Sequence, residues 1–239
     1  MKDELFQLWV YLSTTPLAGL TVTLVAYQIG AAVYRRSGAN PVANPVLVAV
    51  VLLVALLWAT GTPYRTYFEG AQFVHFLLGP ATVALAIPLY RHFATIRRSA
   101  LAIAVSIVAG SVTAIVTAVG TAWLMGASSR TLLSLAPKSV TTPVAMGISE
   151  QIGGLPSLTA VLVILTGILG AVFATWTLNA AGIRDWRARG LSVGVGAHGI
   201  GTARAFQVNE LAGAFASLAM GLNALATALL VPLLTRLPW

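Results

Sequence analysis

The 239-residue sequence contains no cysteine and only three histidines. The missing thiols exclude disulfide bonds and cysteine-ligated metal sites. His75, His92 and His198 are far apart, and none stands in an H-E-x-x-H pattern. The six acidic residues are mostly terminal or in loops, so no nucleophile, base and acid can be assembled from the sequence. The sequence therefore predicts no enzymatic activity, no bound metal and no cofactor.

Charged residues are also scarce. They make up 8% of the chain, whereas 58% of its residues are hydrophobic; about 25% charged residues is usual in a soluble domain. The apolar residues form continuous runs of roughly 15–28 residues, which suits membrane-spanning helices better than the alternating segments of a barrel. The composition predicts an all-α polytopic membrane protein in a lipid bilayer.

The charges that are present are mainly positive, with 14 Lys and Arg against 6 Asp and Glu. Arginines cluster in short loops at 35–36, 91–98 and 184–189. Clusters of this kind are typical of loops that face anionic lipid, and they do not indicate binding of nucleic acid. If these loops are cytoplasmic, eight arginines lie inside and three cations outside. The positive-inside rule then predicts an external N-terminus.

Hydropathy predicts about six full transmembrane helices in a single domain that covers residues 1–239. The predicted spans are 5–34, interrupted at Pro16, then 45–59, 71–90, 99–125, 155–180 and 211–235. Two further stretches, 137–154 and 190–210, are rich in glycine, proline or small hydroxyl residues and predict broken or re-entrant helices. Similar sequences at 79–89 and 141–149 are consistent with inverted repeats, although chance explains them equally well.

The most unusual stretch is GVGAHGIGTARAFQVNE at 194–210. Gly194, Gly196 and Gly199 match G-x-G-x-x-G, but a dinucleotide site needs a preceding strand and an acidic residue about 20 residues later. Here a basic loop precedes the glycines, and Glu210 is the next acidic residue. We interpret the motif as a chance match.

At membrane depth the same stretch has a different meaning. Glycines allow a helix to unwind, and an ionisable residue there costs about 2.5–3.5 kcal/mol on insertion scales. We therefore predict a binding site for a small anionic solute. Its residues are Arg204, which can hold a carboxylate through two hydrogen bonds, and His198, Gly199, Gly201 and Thr202. The alternative is that Arg204 lies at the membrane edge and His198 hydrogen-bonds a neighbouring helix.

The stretch 137–154 adds a second set of candidates. Directly before an apolar segment it contains Lys138, Ser139, Thr141 and Thr142 between two prolines. That pattern suits the N-terminus of a half-helix that points at an anion, so we assign these four residues to the same site. Glu150 is interpreted either as a coupling site for a proton or cation or as a surface residue.

Other polar or small residues interrupt the predicted spans. Pro80 and Thr82 lie within 71–90, and Gly79-Pro80 predicts either a simple kink or a break that faces the ligand. Asn223 predicts an interhelical hydrogen bond that supports the site. Small residues at about four-residue spacing predict an internal helix contact, or alternatively an oligomer interface, at Gly213, Ala214, Ser217 and Gly221.

Four stretches occur in order along the chain: LLGPATVALAIPLYR (77–91), PKSVTTPVAMGIS (137–149), IGGLPSLTAVLVILTGILGA (152–171) and a last one that begins with ARGLSVGVGAHGIGTARAFQ (188–207) and continues through Glu210 to GAFASLAMGLNALATALL (213–230). Together they resemble the LrgB/CidB family of bacterial membrane proteins, which is related to the plastidial glycolate/glycerate transporter. The resemblance covers 71–239, whereas 1–70 is matched loosely. The family more often has an acidic residue where this sequence has Gly147, so no role of that acid is carried over.

The resemblance implies two alternative functions. One is a secondary transporter or facilitator of small 2-hydroxy or 2-oxo monocarboxylates, such as glycolate, glycerate and pyruvate, across the bacterial inner membrane. The other is an antiholin- or holin-like regulator of murein hydrolase activity and autolysis, which works with an LrgA/CidA-type membrane partner. The buried arginine and the broken helices expected here favour the transporter. Both interpretations allow a homo-oligomer.

Overall fold

Helices dominate the computed structural model, which describes residues 16–235, and no strand occurs in that range. The helices are α1 Pro16–Arg36, α2 Pro45–Thr60, α3 Tyr64–Phe76, α4 Leu78–Ala84, α5 Ala86–Arg91, α6 Phe93–Arg98, α7 Ala100–Leu124, α8 Ser129–Leu135, α9 Thr142–Gln151, α10 Pro156–Ala180, α11 Trp186–Val208 and α12 Glu210–Leu234. The prediction of an all-α polytopic membrane protein is confirmed.

Four of the described helices, α1, α7, α10 and α12, are long and apolar enough to cross a membrane. The last three have 25 residues each, or ~37 Å at 1.5 Å per residue, which exceeds the ~30 Å hydrocarbon core. They agree with the predicted spans 99–125, 155–180 and 211–235. Helix α1 agrees with the described part of 5–34, while residues 5–15 lie outside the described residues. Helix α2 is apolar but has only 16 residues.

The predicted span 71–90 differs from the structure, because it divides among α3, α4 and α5. Pro80 is the third residue of α4, and Pro88 is the third residue of α5. A proline cannot donate the helical N–H and its ring crowds the preceding turn, so it is tolerated near the start of a helix and disfavoured inside one. A hydropathy profile does not include this effect of proline, so the prediction contained too many uninterrupted spans.

The chain divides into two compact units, residues 1–84 and 85–239. In the described part of the N-terminal unit, α1 packs closely on α2 and α3. A Cβ at Gly19 would lie 2.7 Å from the carbonyl oxygen of Tyr67, so only glycine allows this approach. The hydroxyl groups of Thr23 and Tyr67 are 2.7 Å apart, which adds a polar contact between α1 and α3.

In the C-terminal unit, α8 and α9 form a helical hairpin, called hairpin 1 (residues 129–151). The Oγ of Ser134, near the end of α8, accepts a hydrogen bond of 2.8 Å from the backbone N–H of Leu155. Thr159 of α10 donates to the Ser134 carbonyl at 2.9 Å and to the Ser149 hydroxyl at 2.7 Å. These bonds place the C-terminal ends of α8 and α9 beside the start of α10, and the tip of hairpin 1 at 137–141 joins the two helices.

Helix α11 is also a hairpin, called hairpin 2, with a first arm (186–197) and a second arm (199–208). His198 between them has φ 39° and ψ −133°, which is not helical. A Cβ at Gly201 would lie 3.2 Å from the carbonyl oxygen of Val193, whereas residues eight apart in a straight helix are ~12 Å apart along the axis. The second arm therefore folds back on the first, so 190–210 does not cross the unit.

The long helices of this unit have a consistent direction. Cβ atoms added to Gly190 and Gly194 would contact the backbone of Ala212 and Ala216, so the first arm runs parallel to α12. Helix α7 is parallel to both, since Ile103 and Ile107 pack with Phe215 and Ala219 of α12. The starts of all three helices therefore share one end of the unit. The arginine clusters at 91–98 and 184–189 lie in the segment before α7 and around the start of α11, so we call this end the arginine-rich end.

Hairpin 1 enters from the opposite end and is held in an apolar cluster with Ile115 of α7, Val163 of α10 and Val231 of α12. The small-residue face of α12 lies inside the unit at Gly213, Ala214 and Ser217, whereas Gly221 is exposed. The prediction of an internal helix contact is therefore confirmed at the first three positions.

Candidate functional site

The tips of the two hairpins meet at Asn223, in the middle of α12. Its side-chain Nδ2 donates to the carbonyl oxygen of Ser139 in hairpin 1 at 3.0 Å and to that of Val195 in hairpin 2 at 3.3 Å. Its Oδ1 accepts a hydrogen bond of 2.5 Å from Ser111 of α7. Asn223 has no exposed surface. One buried carboxamide thus joins two interrupted helices to two continuous ones.

The tips lie at about half the length of the spanning helices. Ser111 and Asn223 are near the centres of α7 and α12, Gly167 is near the centre of α10, and Val163 lies about one turn before Gly167. The imidazole Nε2 of His198 is 2.9 Å from the carbonyl oxygen of Val163. Because each of these helices is long enough to span a bilayer, the tips correspond to the membrane midplane.

Lys138 brings a positive charge to this point. Its Nζ donates to the Ser139 hydroxyl at 3.2 Å. Val140, two residues later, packs in one apolar cluster with Val163 of α10, whose carbonyl oxygen contacts the His198 ring. The structure thus brings the predicted residues Lys138, Ser139 and His198 together, through the tips of two separate hairpins.

The acidic residues of 85–239 lie elsewhere. Glu150 is exposed in the last turn of α9, and Asp185 is the N-cap of α11. Glu210 accepts a hydrogen bond of 3.2 Å from Arg91. Of the two interpretations of Glu150, the exposed position agrees with a surface residue. Among the described residues of this unit, no carboxylate lies at the tips to neutralise Lys138.

Two helix N-termini also point to the tips. Helix α9 starts at Thr142 with Thr141 as its N-cap and Pro143 in its first turn; within the described chain, the Thr141 side chain makes no capping hydrogen bond. The second arm of hairpin 2 starts after His198, whose carbonyl accepts a 2.8 Å hydrogen bond from Thr202. The first amides of a helix have no helical acceptor and carry partial positive charge, so both ends favour an anion.

His198 has an unfavourable backbone conformation, since φ values near +40° are rare for residues other than glycine. Such strain costs of order 1–3 kcal/mol and persists only where surrounding contacts hold it. Here the hydrogen bond to Val163 and the close approach to Gly167 hold the ring. The alternative stated for His198, a hydrogen bond to a neighbouring helix, is what the structure contains.

Arg204 is not at the tips. It lies six residues along the second arm, ~9 Å from His198 along the helix axis, and it is 9% exposed. It lines a small cavity of about 30 Å³ with Leu178 of α10 and Trp186 and Arg189 of the first arm. Arg204 thus lies between the tips and the arginine-rich end, separate from the tip cluster.

Arg189 and Asp185 order the base of hairpin 2, a role that the sequence analysis did not identify. The Arg189 guanidinium donates to the Asn179 side chain at 2.8 Å and lies 5.1 Å from the ring centre of Trp186. Asp185 caps α11 by accepting from the Arg187 N–H at 2.8 Å. The side-chain hydrogen bond from Arg187 is the main cause that lowers the pKa of Asp185 to about 2.

The remaining candidates are distributed around this cluster. Gly201 packs against the first arm, and a Cβ at Gly199 would meet only Met220 within 4 Å. Pro80 and Thr82 belong to the N-terminal unit, so their relation to the tips stays a prediction. Among residues 16–235, no group of three or more His, Cys, Asp or Glu side chains could hold a metal ion.

The sequence matches the LrgB-like family over residues 23–237. The chain belongs to the LrgB-like family. It is 38% identical over 218 residues to the uncharacterized protein YwbG of Bacillus subtilis, covering 91% of this chain and 96% of that protein. It is 31% identical to the holin-like protein CidB of Staphylococcus epidermidis, over 91% of this chain and 95% of the relative. It is also 31% identical to the antiholin-like protein LrgB of Bacillus mycoides, over 92% and 95%.

No solved structure matches this LrgB-like chain. The family match begins at residue 23, so it includes much of the stretch 1–70 that the sequence analysis considered loosely matched. The relatives are bacterial, and four described helices are suited to span a bilayer. The chain is therefore a bacterial membrane protein.

Proposed function

We propose two functions for this LrgB-like protein, and they rest on different observations. The first is selective transport of a small 2-hydroxy or 2-oxo monocarboxylate, such as glycolate, glycerate or pyruvate, across the bacterial inner membrane. The second is holin- or antiholin-like regulation of murein hydrolase activity and autolysis, together with an LrgA/CidA-type membrane partner. The names of the relatives favour the second function, whereas the geometry of the hairpins favours the first.

One observation carries the transport proposal: two hairpins enter from opposite ends and meet at the midplane beside Lys138. A charged side chain at that depth costs about 2.5–3.5 kcal/mol on insertion scales and is uncommon without a function. Two helix N-termini add partial positive charge at the same point. With no carboxylate of the described C-terminal unit beside it, an anionic solute is the natural counter-charge. Interrupted helices that meet at the midplane are typical of secondary transporters.

In this proposal, groups from both tips bind different parts of the substrate. The Lys138 ammonium binds the carboxylate, and the first amides of α9 and of the second arm, around Gly199 and Gly201, add donors. The hydroxyls of Ser139, Thr141 and Thr142 bind the 2-oxygen. His198, held at its backbone by Thr202, fixes the shape of the tip. Arg204 attracts the anion from the arginine-rich end, which we propose is cytoplasmic.

Uptake by Lys138 variants in proteoliposomes tests the transport proposal. Lys138→Met is expected to raise KM for a labelled monocarboxylate roughly 10- to 150-fold, because a charge-assisted hydrogen bond is worth about 1.5–3 kcal/mol and 1.4 kcal/mol is tenfold. Lys138→Arg keeps the charge and is expected to lose less. Arg204→Ala removes a cation that lies outside the tips and is expected to reduce uptake while the protein still reaches the membrane.

Arg130→Met is the matched control for that experiment. Arg130 is an exposed cation of α8 in the same hairpin, and its replacement is expected to leave KM unchanged. Equal uptake by the Lys138→Met protein and the unmodified protein would remove Lys138 from the site.

Leakage of dyes from liposomes tests the second function. A holin-like pore passes neutral and charged dyes of unrelated size, whereas a selective transporter passes neither. An antiholin-like regulator, in contrast, changes autolysis of cells without making liposomes leaky. Reconstitution with and without the small membrane partner determines whether either activity requires it.

A further inference from the structure

We propose that a groove between α7 and the first arm of hairpin 2 is the route by which the carboxylate reaches the tips from the arginine-rich end; this inference rests on the proposed transport function. The groove has a volume of about 500 Å³, many times the ~30 Å³ that one water occupies in the liquid. All of its lining residues belong to the C-terminal unit. They include Ser106, Gly110 and Thr113 on α7 and Ala188, Ser192 and Gly196 on the first arm.

The groove leads toward the site. From Ala188 to Gly196 it follows the first arm for ~12 Å, at 1.5 Å per residue. Since α7 runs parallel to the first arm, Ser106 lies nearer the arginine-rich end and Thr113 nearer the midplane. Gly196 is only two residues before His198. The exposed Arg98 lies just before the start of α7, and the exposed Arg187, which is paired with Asp185, lies in the first turn of the first arm. Arg98 therefore gives the net positive charge at the mouth of the groove, whose lining reaches Gly196 beside the tip of hairpin 2.

The hydroxyl groups in the groove suit a hydrated, oxygen-rich solute. In helices, Ser and Thr commonly donate to the carbonyl four residues earlier. Ser111 and Thr117, which do not line the groove, do this at 2.7 and 2.6 Å. Ser106 and Thr113 make no side-chain hydrogen bond within residues 16–235, and both line the groove. An unsatisfied hydroxyl is costly in hydrocarbon, so water or solute oxygens in the groove are its expected partners.

The absence of native cysteine allows a direct test on the full chain. Ser106→Cys, Thr113→Cys and Ser192→Cys are reconstituted separately, and a membrane-impermeant maleimide is added to one side at a time. Val105→Cys is the matched control, because Val105 is 60% exposed on α7 but lies outside the groove lining. The groove cysteines are expected to react at least tenfold faster than Val105→Cys, and only from the arginine-rich side. Excess pyruvate is expected to slow labelling at position 113.

The possible outcomes distinguish a failure of the proposed groove route from a failure of the proposed transport function. Saturable uptake by the unmodified protein without labelling of any groove cysteine, or with labelling only from the opposite side, would overturn the groove. Rapid labelling without saturable uptake would overturn the proposed transport, and the carboxylate route with it. Labelling at position 113 that pyruvate leaves unchanged during active uptake would likewise exclude this route.

Discussion

Asn223 satisfies polar groups that would otherwise be left unpaired in the interior of the C-terminal unit. The Val195 carbonyl is near the end of the first arm, where the break at His198 interrupts the helical hydrogen-bonding pattern. The Ser139 carbonyl lies in the turn between α8 and α9. An unsatisfied carbonyl in a membrane interior is costly because no water replaces the lost partner. The carboxamide therefore stabilises both breaks at once.

Replacing Asn223 tests this role. Asn223→Leu conserves the approximate volume but leaves the carbonyls of Ser139 and Val195 unpaired, at about 1–3 kcal/mol each. At the lower limit of about 2 kcal/mol for the two groups together, the thermal unfolding midpoint in detergent is expected to fall by roughly 4–8 °C. Ser217→Ala is the control in the same helix, since the Ser217 hydroxyl bonds only to the Gly213 carbonyl among described residues. Equal midpoints for the two variants would contradict the role of Asn223.

The sequence predicted Asn223 as an interhelical hydrogen-bonding residue, which the structure confirms, but not its partners. Those partners are the backbone of Ser139 and Val195 and the hydroxyl of Ser111, which is 112 residues away in the chain. A polar residue in an apolar span indicates that a partner exists. Its identity depends on tertiary packing, which neither composition nor spacing encodes.

The hairpin elements depend on close contact with α10. A Cβ at Gly167 would lie 2.6 Å from Cε1 and 2.8 Å from Nε2 of His198. The imidazole cannot easily move, because its Nε2 contacts the Val163 carbonyl. Glycine at this position therefore allows the tip of hairpin 2 to reach the centre of α10.

Gly167→Ala is expected to destabilise the protein by roughly 1–3 kcal/mol, the usual cost of overpacking. Gly120→Ala is the control, because a Cβ there meets nothing within 4 Å in the described chain; this change is expected to be neutral or to stabilise α7 by up to about 1 kcal/mol. Denaturation in detergent measures both. A Gly167→Ala protein as stable as the Gly120→Ala protein would show that the tip does not depend on this contact.

The sequence predicted interrupted helices at 137–154 and 190–210, and the structure has both. The sequence alone does not determine the reversal at His198, because a glycine-rich apolar stretch allows a kink, a crossing or a fold-back with similar hydropathy. The fold-back depends on Gly201 packing against Val193, a contact between two arms of the same segment. The predicted span 71–90 was wrong, because hydropathy indicates one continuous helix where the structure has three helices, two of which contain a proline near their start.

At the scale of the whole molecule, both proposed functions belong to a bacterial membrane protein of the LrgB-like family. They make opposite demands on the C-terminal unit. A selective transporter needs a midplane site with a fixed charge, and we propose that the two hairpins and Lys138 form it. A holin-like pore needs an assembly that is permeable to unrelated solutes. In the N-terminal unit, Gly19 and Thr23 of α1 contact Tyr67 of α3. This packing is compatible with either function.

The most direct measurement is uptake by the unmodified protein in proteoliposomes, with and without a pH gradient. Labelled pyruvate, glycolate and glycerate are compared with a neutral solute of similar size. For a selective transporter we expect saturable uptake of at least one acid and no uptake of the neutral solute. Equal passage of acids and the neutral solute, or passage of neither even with an LrgA-type partner present, would contradict selective transport and leave the regulatory function.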